Sequence, residues 1–244
     1  MATPRYKFPK LWFKFLVVAT GVLAALHASA ERAHSDCYEN YQKGEYGDAY
    51  AACVTQAESG DMKAVWLLSR MTNFGEGVDS DIDEAVSLAR HAAEGGYANA
   101  QFDLASYYEF GEGVIQSYEE AMTWYRKAAK QGHSGAMFEI GTMYDDAQGV
   151  TEDHHAAFRW YRAAAEKGHT EAQWYLAIMF SEGEAVQQSY EQAYLWSSVA
   201  RRNGHFTAKY TVDDAANQLS TETQANVRRV VERCLNTNYV DCGL

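Results

Sequence analysis

Proline is almost missing from this 244-residue chain: Pro4 and Pro9 are the only two. Proline removes a backbone donor and clashes with the preceding turn of a helix. Everything beyond Pro9 is therefore free to run as a nearly unbroken set of helices. Cysteine is also scarce. Four occur, Cys37, Cys53, Cys234 and Cys242, with none from Val54 to Arg233 and no C-x-x-C spacing. That leaves no support for a redox pair or a cysteine-based metal site. Positive charge is short as well, with 21 Lys and Arg against 33 Asp and Glu. An acidic surface disfavours nucleic acid and anionic lipid. The chain lacks G-x-S-x-G, S-x-x-K, H-E-x-x-H and any glycine-rich phosphate loop, so no catalytic residue, metal ligand or cofactor is placed.

One apolar run stands out, Phe15 to Leu26. It follows the basic residues Arg5, Lys7, Lys10 and Lys14 and ends in Ala28-Ser29-Ala30. This is the pattern of a secretory signal cut after Ala30. The run is short for the ~20 residues that a membrane span needs, and Lys14 limits its extension. No cysteine follows it at a lipid-attachment position. Export to the periplasm, or secretion, is the expectation. Removing four of the 21 basic residues leaves 17 against 33 acids, a net charge of −16 for residues 31–244.

The rest of the chain repeats. Gly60, Gly96, Gly132, Gly168 and Gly204 are 36 residues apart. The same step links Ala64, Ala100, Ala136, Ala172 and Ala208, and also Ala49, Ala85, Ala121, Ala157 and Ala193. A fixed period of this size marks a solenoid. In one copy, Ala100, Leu104 and Tyr107/Tyr108 form the stripe of a helix over about 99–110. Ala121, Trp124, Tyr125, Ala128 and Ala129 form that of a second over about 118–130. The alanines let helix axes approach closely. The intervening Gly111-Glu112-Gly113-Val114 supplies the left-handed residue that a tight helix exit needs. Ser117 ahead of Glu120, and Ser189 ahead of Gln192, predict capping boxes. Asp81 and Asp153 hold the same position in the other copies, and Asp is a good N-cap.

These motifs give a half-copy at 37–60, full copies at 61–97, 98–133, 134–169 and 170–205, and a cap at 206–244, all in one domain. A unit this short buries its apolar face only by stacking on its neighbours. The fold class expected is all-α, a right-handed α-solenoid of helical hairpins. Four cysteines allow three pairings. The local one, Cys37 with Cys53 and Cys234 with Cys242, fits this order of helices best and pins both ends in an oxidising compartment.

The pattern A-x-x-x-L-[AG]-x-x-Y-x-x-G-x-G-V, followed by W-Y-x-x-A-A-x-x-G, resembles the Sel-one-like repeat, a relative of the tetratricopeptide repeat. The first copy departs from it with Leu88 and Ala89 in place of Trp-Tyr. Ala147 replaces the first loop glycine of the third copy, and Ala185 the second of the fourth, leaving those loops free to turn differently. The resemblance implies a non-enzymatic adaptor that binds a partner protein or peptide in a concave groove lined by the first helix of each copy. Cysteine-rich members of the family are described as binding or hydrolysing β-lactams. They carry a disulfide in nearly every repeat, which this chain lacks. A structural link to peptidoglycan is a third reading.

On the groove face, one column reads Trp66, Phe102, Phe138 and Trp174. One to two turns further on come Asn73-Phe74, Glu109-Phe110, Asp145-Asp146 and Ser181-Glu182. An aromatic ladder edged with acid suits an extended peptide with apolar and basic side chains. Packing between copies is an equally open role for the aromatics. His133, His169 and His205 also recur at one position. Packed helices lie ~8–10 Å apart while Zn–N bonds are ~2.0–2.1 Å, so these histidines cannot share an ion. His154-His155 reads as a surface pair.

Overall fold

The computed structural model describes residues 36–240 and 242; the expected export signal, residues 1–30, lies outside them. Among the described residues there are twelve helices and no strand. A short hairpin comes first, α1 (Cys37–Gln42) and α2 (Tyr46–Glu58). Four longer hairpins follow: α3 (Met62–Phe74) with α4 (Ile82–Glu94), α5 (Ala98–Phe110) with α6 (Tyr118–Lys130), α7 (Ser134–Asp145) with α8 (His154–Ala165), and α9 (Thr170–Glu182) with α10 (Tyr190–Arg202). The end is α11 (Ala208–Asn217) and α12 (Thr221–Asn236). From α1 to α11 each helix packs chiefly on its neighbours in sequence, and α12 packs back on α10, which makes the chain an α-solenoid. No described helix is long and apolar enough to cross a membrane.

The alanine columns explain the packing. Ala100, Ala136, Ala172 and Ala208, with Ala85, Ala121, Ala157 and Ala193, are all fully buried. A larger side chain there would push helix axes apart. Large residues one turn further along the same stripes fill the space between: Leu104, Ile140 and Leu176 from the first helices, Tyr125 and Tyr161 from the second.

The helix starts follow from local chemistry. Asp81, Ser117, Asp153 and Ser189 cap α4, α6, α8 and α10, each accepting a backbone N–H within the first turn. The capping box differs from the sequence expectation in one arm. The N–H of Ser117 donates to the carbonyl of Tyr108, and the N–H of Ser189 to that of Phe180. Asp81 and Asp153 do the same to Thr72 and Tyr144. The cap residue thus ties its own helix to the preceding one, where a reciprocal box would have used the Glu or Gln side chain.

The two alanine loops do not turn differently. Ala147 (φ 56°) and Ala185 (φ 57°) take the left-handed backbone that Gly111 (φ 72°) and Gly113 (φ 64°) take in the second copy. The helix stacking fixes where each loop must re-enter, so the alanines bear the strain. A left-handed L-residue costs ~1–2 kcal/mol, less the entropy that glycine loses on folding. Ala147→Gly and Ala185→Gly are each expected to raise stability by about 0.5–1 kcal/mol. Thermal unfolding followed by circular dichroism measures this, and an unchanged or lower midpoint would contradict the strain.

Both ends are stapled. Cys37 is joined to Cys53, and Cys234 to Cys242. The first bond ties α1 to α2. The second folds the chain after α12 back on itself.

Candidate protein-binding groove

The first helices of successive copies stand side by side. The Trp66 indole N–H donates to Asp103 Oδ2 at 2.7 Å, from α3 to α5. Trp174 does the same to Thr211 Oγ1 at 3.1 Å, from α9 to α11. At helical spacing, the stripe Trp66, Arg70, Phe74 is repeated as Phe102, Ser106, Phe110, then Phe138, Thr142, Asp146, then Trp174, Ile178, Glu182. None of the first two residues of each set is fully exposed, as befits a sheltered surface. The second helices instead present Arg126, Lys127 and Lys130 to solvent. Between α3 and α5 the surface dips into a cavity of about 230 Å³ walled by Arg70, Phe74, Asp103, Ser106 and Tyr107.

Each ring of the aromatic column packs on the residue that closes its own copy, at the junction with the next. Phe102 stacks on His133 with centroids 4.6 Å apart, Phe138 on His169 at 4.7 Å, and Trp174 on His205 at 4.7 Å. Trp66 meets Tyr97 at 5.4 Å in a tilted pair. All four rings remain only partly buried. The histidines owe their place to a second task, which sequence reading did not reveal. Nδ1 of His133, His169 and His205 accepts the N–H of Ala136, Ala172 and Ala208, capping the first turn of the next helix. An accepting Nδ1 requires the neutral ring. Burial correspondingly lowers the pKa of His133 and His169.

The acidic edge is divided. Phe74 and Phe110 are 60% and 65% exposed, and Asp146 and Glu182 are exposed too. Glu109 is not at the edge, contrary to expectation. It is buried, and its carboxylate accepts the Tyr125 hydroxyl at 2.6 Å. The next copy repeats the bond in weaker form, Tyr161 to Asp145 at 3.2 Å. The first copy has Ala89 at the tyrosine position and the fourth has Ser197, so neither can make it. Ser181 is half-buried, and its carbonyl accepts from the Gln188 amide. His154 lies at the surface, as the sequence suggested, but it is not isolated. Its Nδ1 meets Asp145 at 2.7 Å and its Nε2 meets Glu152 at 2.9 Å, with Glu184 of the next copy at 3.6 Å. The Asp145 hydrogen bond chiefly raises its pKa. The His155 ring lies 2.9 Å from the Ala185 carbonyl. Among the described residues no group of three or more His, Cys, Asp or Glu is arranged to hold a metal ion.

Sequence reasoning missed the column one residue after the aromatics, Leu67, Asp103, Glu139 and Tyr175. Asp103 is bonded to Trp66 and lies 3.9 Å from Arg70. Burial nevertheless raises its pKa. Glu139 has no such support. It forms no hydrogen bond or ion pair with a described residue, and burial, helped by the Glu109 charge, pushes its pKa from 4.5 to about 7. Tyr175 stands in the same column in the next copy, and Tyr125 also feels the Glu139 charge. The available signal was a carboxylate set between two core positions, Phe138 and Ile140.

A pH dependence follows. The folded chain holds the Glu139 proton more tightly than the unfolded chain does. Ionised Glu139 therefore costs stability above pH 7, and that cost fades as pH falls through 7 toward 5. His133 and His169 act in reverse, because their capping rings must stay neutral and the unfolded chain protonates below about 6.5. Glu139→Gln is expected to add about 1–3 kcal/mol at pH 8 and nothing near pH 4.5. The histidine contributions cancel in the difference between variant and parent. Urea unfolding at the two pH values measures it, and an equal gain at both would show that the charge costs nothing.

A larger cavity, about 700 Å³, lies among α8, α9, α10 and the C-terminal loop, walled by Arg162, Phe180, Trp196 and Tyr239. In the two preceding junctions an arginine reaches a tyrosine hydroxyl, Arg90 to Tyr108 and Arg126 to Tyr144, both at 2.9 Å. Phe180 offers no hydroxyl here, and Arg162 pairs with Glu166 of its own helix at 2.8 Å.

The comparisons with known proteins agree with this architecture. The family model for the Sel1 repeat matches residues 63–97, 98–133, 134–169 and 170–205. No curated protein sequence matches the chain. Among solved structures, a Sel1 repeat protein from Oxalobacter formigenes is 27% identical, with a TM-score of 0.70 over 80% of this chain and 84% of that one. A putative Sel1 repeat protein from Klebsiella pneumoniae subsp. pneumoniae is 21% identical, with a TM-score of 0.50 over 74% and 89%. The immunity protein Pa5087 from Pseudomonas aeruginosa is 17% identical, with a TM-score of 0.51 over 85% and 84%. The last two likenesses concern the fold alone.

Proposed function

The chain belongs to the Sel1 repeat family, whose scaffolds generally serve protein–protein interaction, and from that premise we propose that it is a non-enzymatic, exported scaffold holding a partner protein on the face of its first helices. Export is supported by the signal-like residues 1–30 and by the two disulfides, which persist in oxidising compartments. The observation that carries the binding reading is Glu139. A half-buried carboxylate without a hydrogen bond or ion pair to a described residue is costly to ionise in the free protein. A partner's cation beside it would offset that cost, which favours a basic segment in the groove.

Photo-crosslinking in the exporting cell tests this. Crosslinkers at Phe110 and Asp146, on the groove, are compared with crosslinkers at Glu119 and Lys127, on the outer helices. A discrete adduct from the groove positions alone, lost when Asp146→Lys is introduced beside Phe110, is the expected result. Equal adducts from the outer positions, or an adduct indifferent to Asp146→Lys, would remove the groove from the proposal.

A further inference from the structure

The groove carries two kinds of chemistry in a fixed order. At its outer edge, the end of α3 and the end of α5 offer the exposed rings Phe74 and Phe110. The matching ends of α7 and α9 offer the exposed carboxylates Asp146 and Glu182. Glu139, on the second of these pairs, lies deeper and lacks a hydrogen bond or ion pair with a described residue. The first half also holds the groove's cation, Arg70, beside the Phe74 ring at 5.5 Å and 3.9 Å from Asp103. The third and fourth copies place no Lys or Arg on their first helices. The face thus runs from exposed rings, with Asp103 held by Trp66 and Arg70, to exposed carboxylates, with no Lys or Arg beside Asp146 and Glu182 on their own helices.

The spacing fits one backbone. The first helices of successive copies touch through long side chains, Trp66 reaching Asp103 and Trp174 reaching Thr211, a reach that fits axes at the ~10 Å end of the range for packed helices. A polyproline II chain rises ~3.1 Å per residue with three residues per turn. Every third side chain then returns to the same face after ~9.3 Å, one copy further along. A β-strand alternates faces every residue, so its third residue would point away.

Resting on the groove reading above, we infer that the occupant is an extended segment of a partner protein in the polyproline II conformation. Every third residue faces the groove: two large apolar side chains over the first and second copies, then two Lys or Arg over the third and fourth. The first pair covers Phe74 and Phe110. The second reaches Asp146, Glu182 and Glu139. Such a segment covers the exposed rings and supplies the positive charge that the acidic half lacks.

Fluorescence anisotropy with synthetic peptides and the disulfide-bonded chain, residues 31–244, tests the inference. The matched peptide has apolar residues at positions 1 and 4 and lysines at 7 and 10. Comparison peptides shift the spacing to two or to four residues, or replace both lysines by glutamate. The matched peptide is expected to bind at least about tenfold more tightly than each of these, with affinity falling as salt rises. Phe110→Ser and Glu182→Lys, both at exposed positions, are each expected to weaken it several-fold while leaving helical content unchanged. A photo-reactive group at position 1 should mark the first or second copy, and one at position 10 the third or fourth, whichever way the peptide chain runs.

Equal affinity for the glutamate peptide, indifference to spacing, crosslinks in the opposite halves, or no binding by the matched peptide would each overturn the inference. If a partner still crosslinks from Phe110 and Asp146 in the cell, groove binding stands and only the proposed occupant fails.

Discussion

Replacing Tyr161 by alanine is expected to lower stability by about 3–5 kcal/mol, the usual cost of emptying a buried aromatic site. Tyr161 is fully buried. Its ring lies 5.5 Å from Phe138 and 5.2 Å from Tyr175, so it joins the second helix of the third copy to the first helices of the third and fourth. Its hydroxyl meets Asp145 at 3.2 Å and Thr142 at 3.5 Å. The backbone has been fitted to it as well. A Cβ placed on Gly141 would come within 2.7 Å of the ring, where the neighbouring copies carry Ala105 and Ala177. No side chain is therefore ready to move into the space. Because each copy leans only on its neighbours, the loss should appear as early melting of the third and fourth copies. Tyr161→Phe keeps the ring, and Asp145 keeps its contact with His154, so about 1 kcal/mol is expected there. Urea unfolding of the three proteins with disulfides intact decides it. A loss below about 1 kcal/mol for the alanine variant would mean that the junction does not depend on this ring.

The second large effect is expected at the N-terminal end. The bond between Cys37 and Cys53 closes a loop with a sequence separation of 16, and a loop of that size contributes roughly 3 kcal/mol. Its importance is raised by what surrounds it. α1 has six residues, far fewer than the ~12–15 at which an isolated helix becomes even marginal in water. Among the described residues no further copy precedes it to back its packing on α2 and α3. Cys37→Ser/Cys53→Ser is expected to release α1 and fray α2, with new proteolytic cuts before Asp61 and little change beyond the first full copy. Limited proteolysis with mass mapping, run beside the parent, checks this. Identical cleavage patterns would show that Ala49, Ala52 and Leu67 hold the end without the bond. Cuts spread evenly along the chain would show that the solenoid unfolds as one unit, against the local account.

How much of this could be read from the amino acids alone differs from residue to residue. The period, the helix limits and the caps were legible because their causes are local. The 36-residue step of Gly60, Gly96, Gly132, Gly168 and Gly204 is matched by a positive φ at all five. Asp81, Ser117, Asp153 and Ser189 cap helices where their spacing placed them. The aromatic column was visible too, but its partners were not. That Phe102, Phe138 and Trp174 would each meet the histidine that closes its copy and caps the next helix depends on how far one hairpin rotates against the next.

The sequence by itself determined a helical solenoid of repeated hairpins, because a residue's helix propensity, its capping chemistry and the demand for small residues at close crossings act over a few positions along the chain. Tertiary structure alone decided which carboxylates are satisfied. Glu109 and Asp145 find tyrosines 16 residues away, Asp103 finds Trp66 37 residues back, and Glu139 finds no hydrogen bond or ion pair among the described residues. It also decided that Ala147 and Ala185 turn as glycines do. Those outcomes rest on packing angles and distances between copies, and a side chain's partner across such a junction is a sum over the whole stack that no short window of sequence contains.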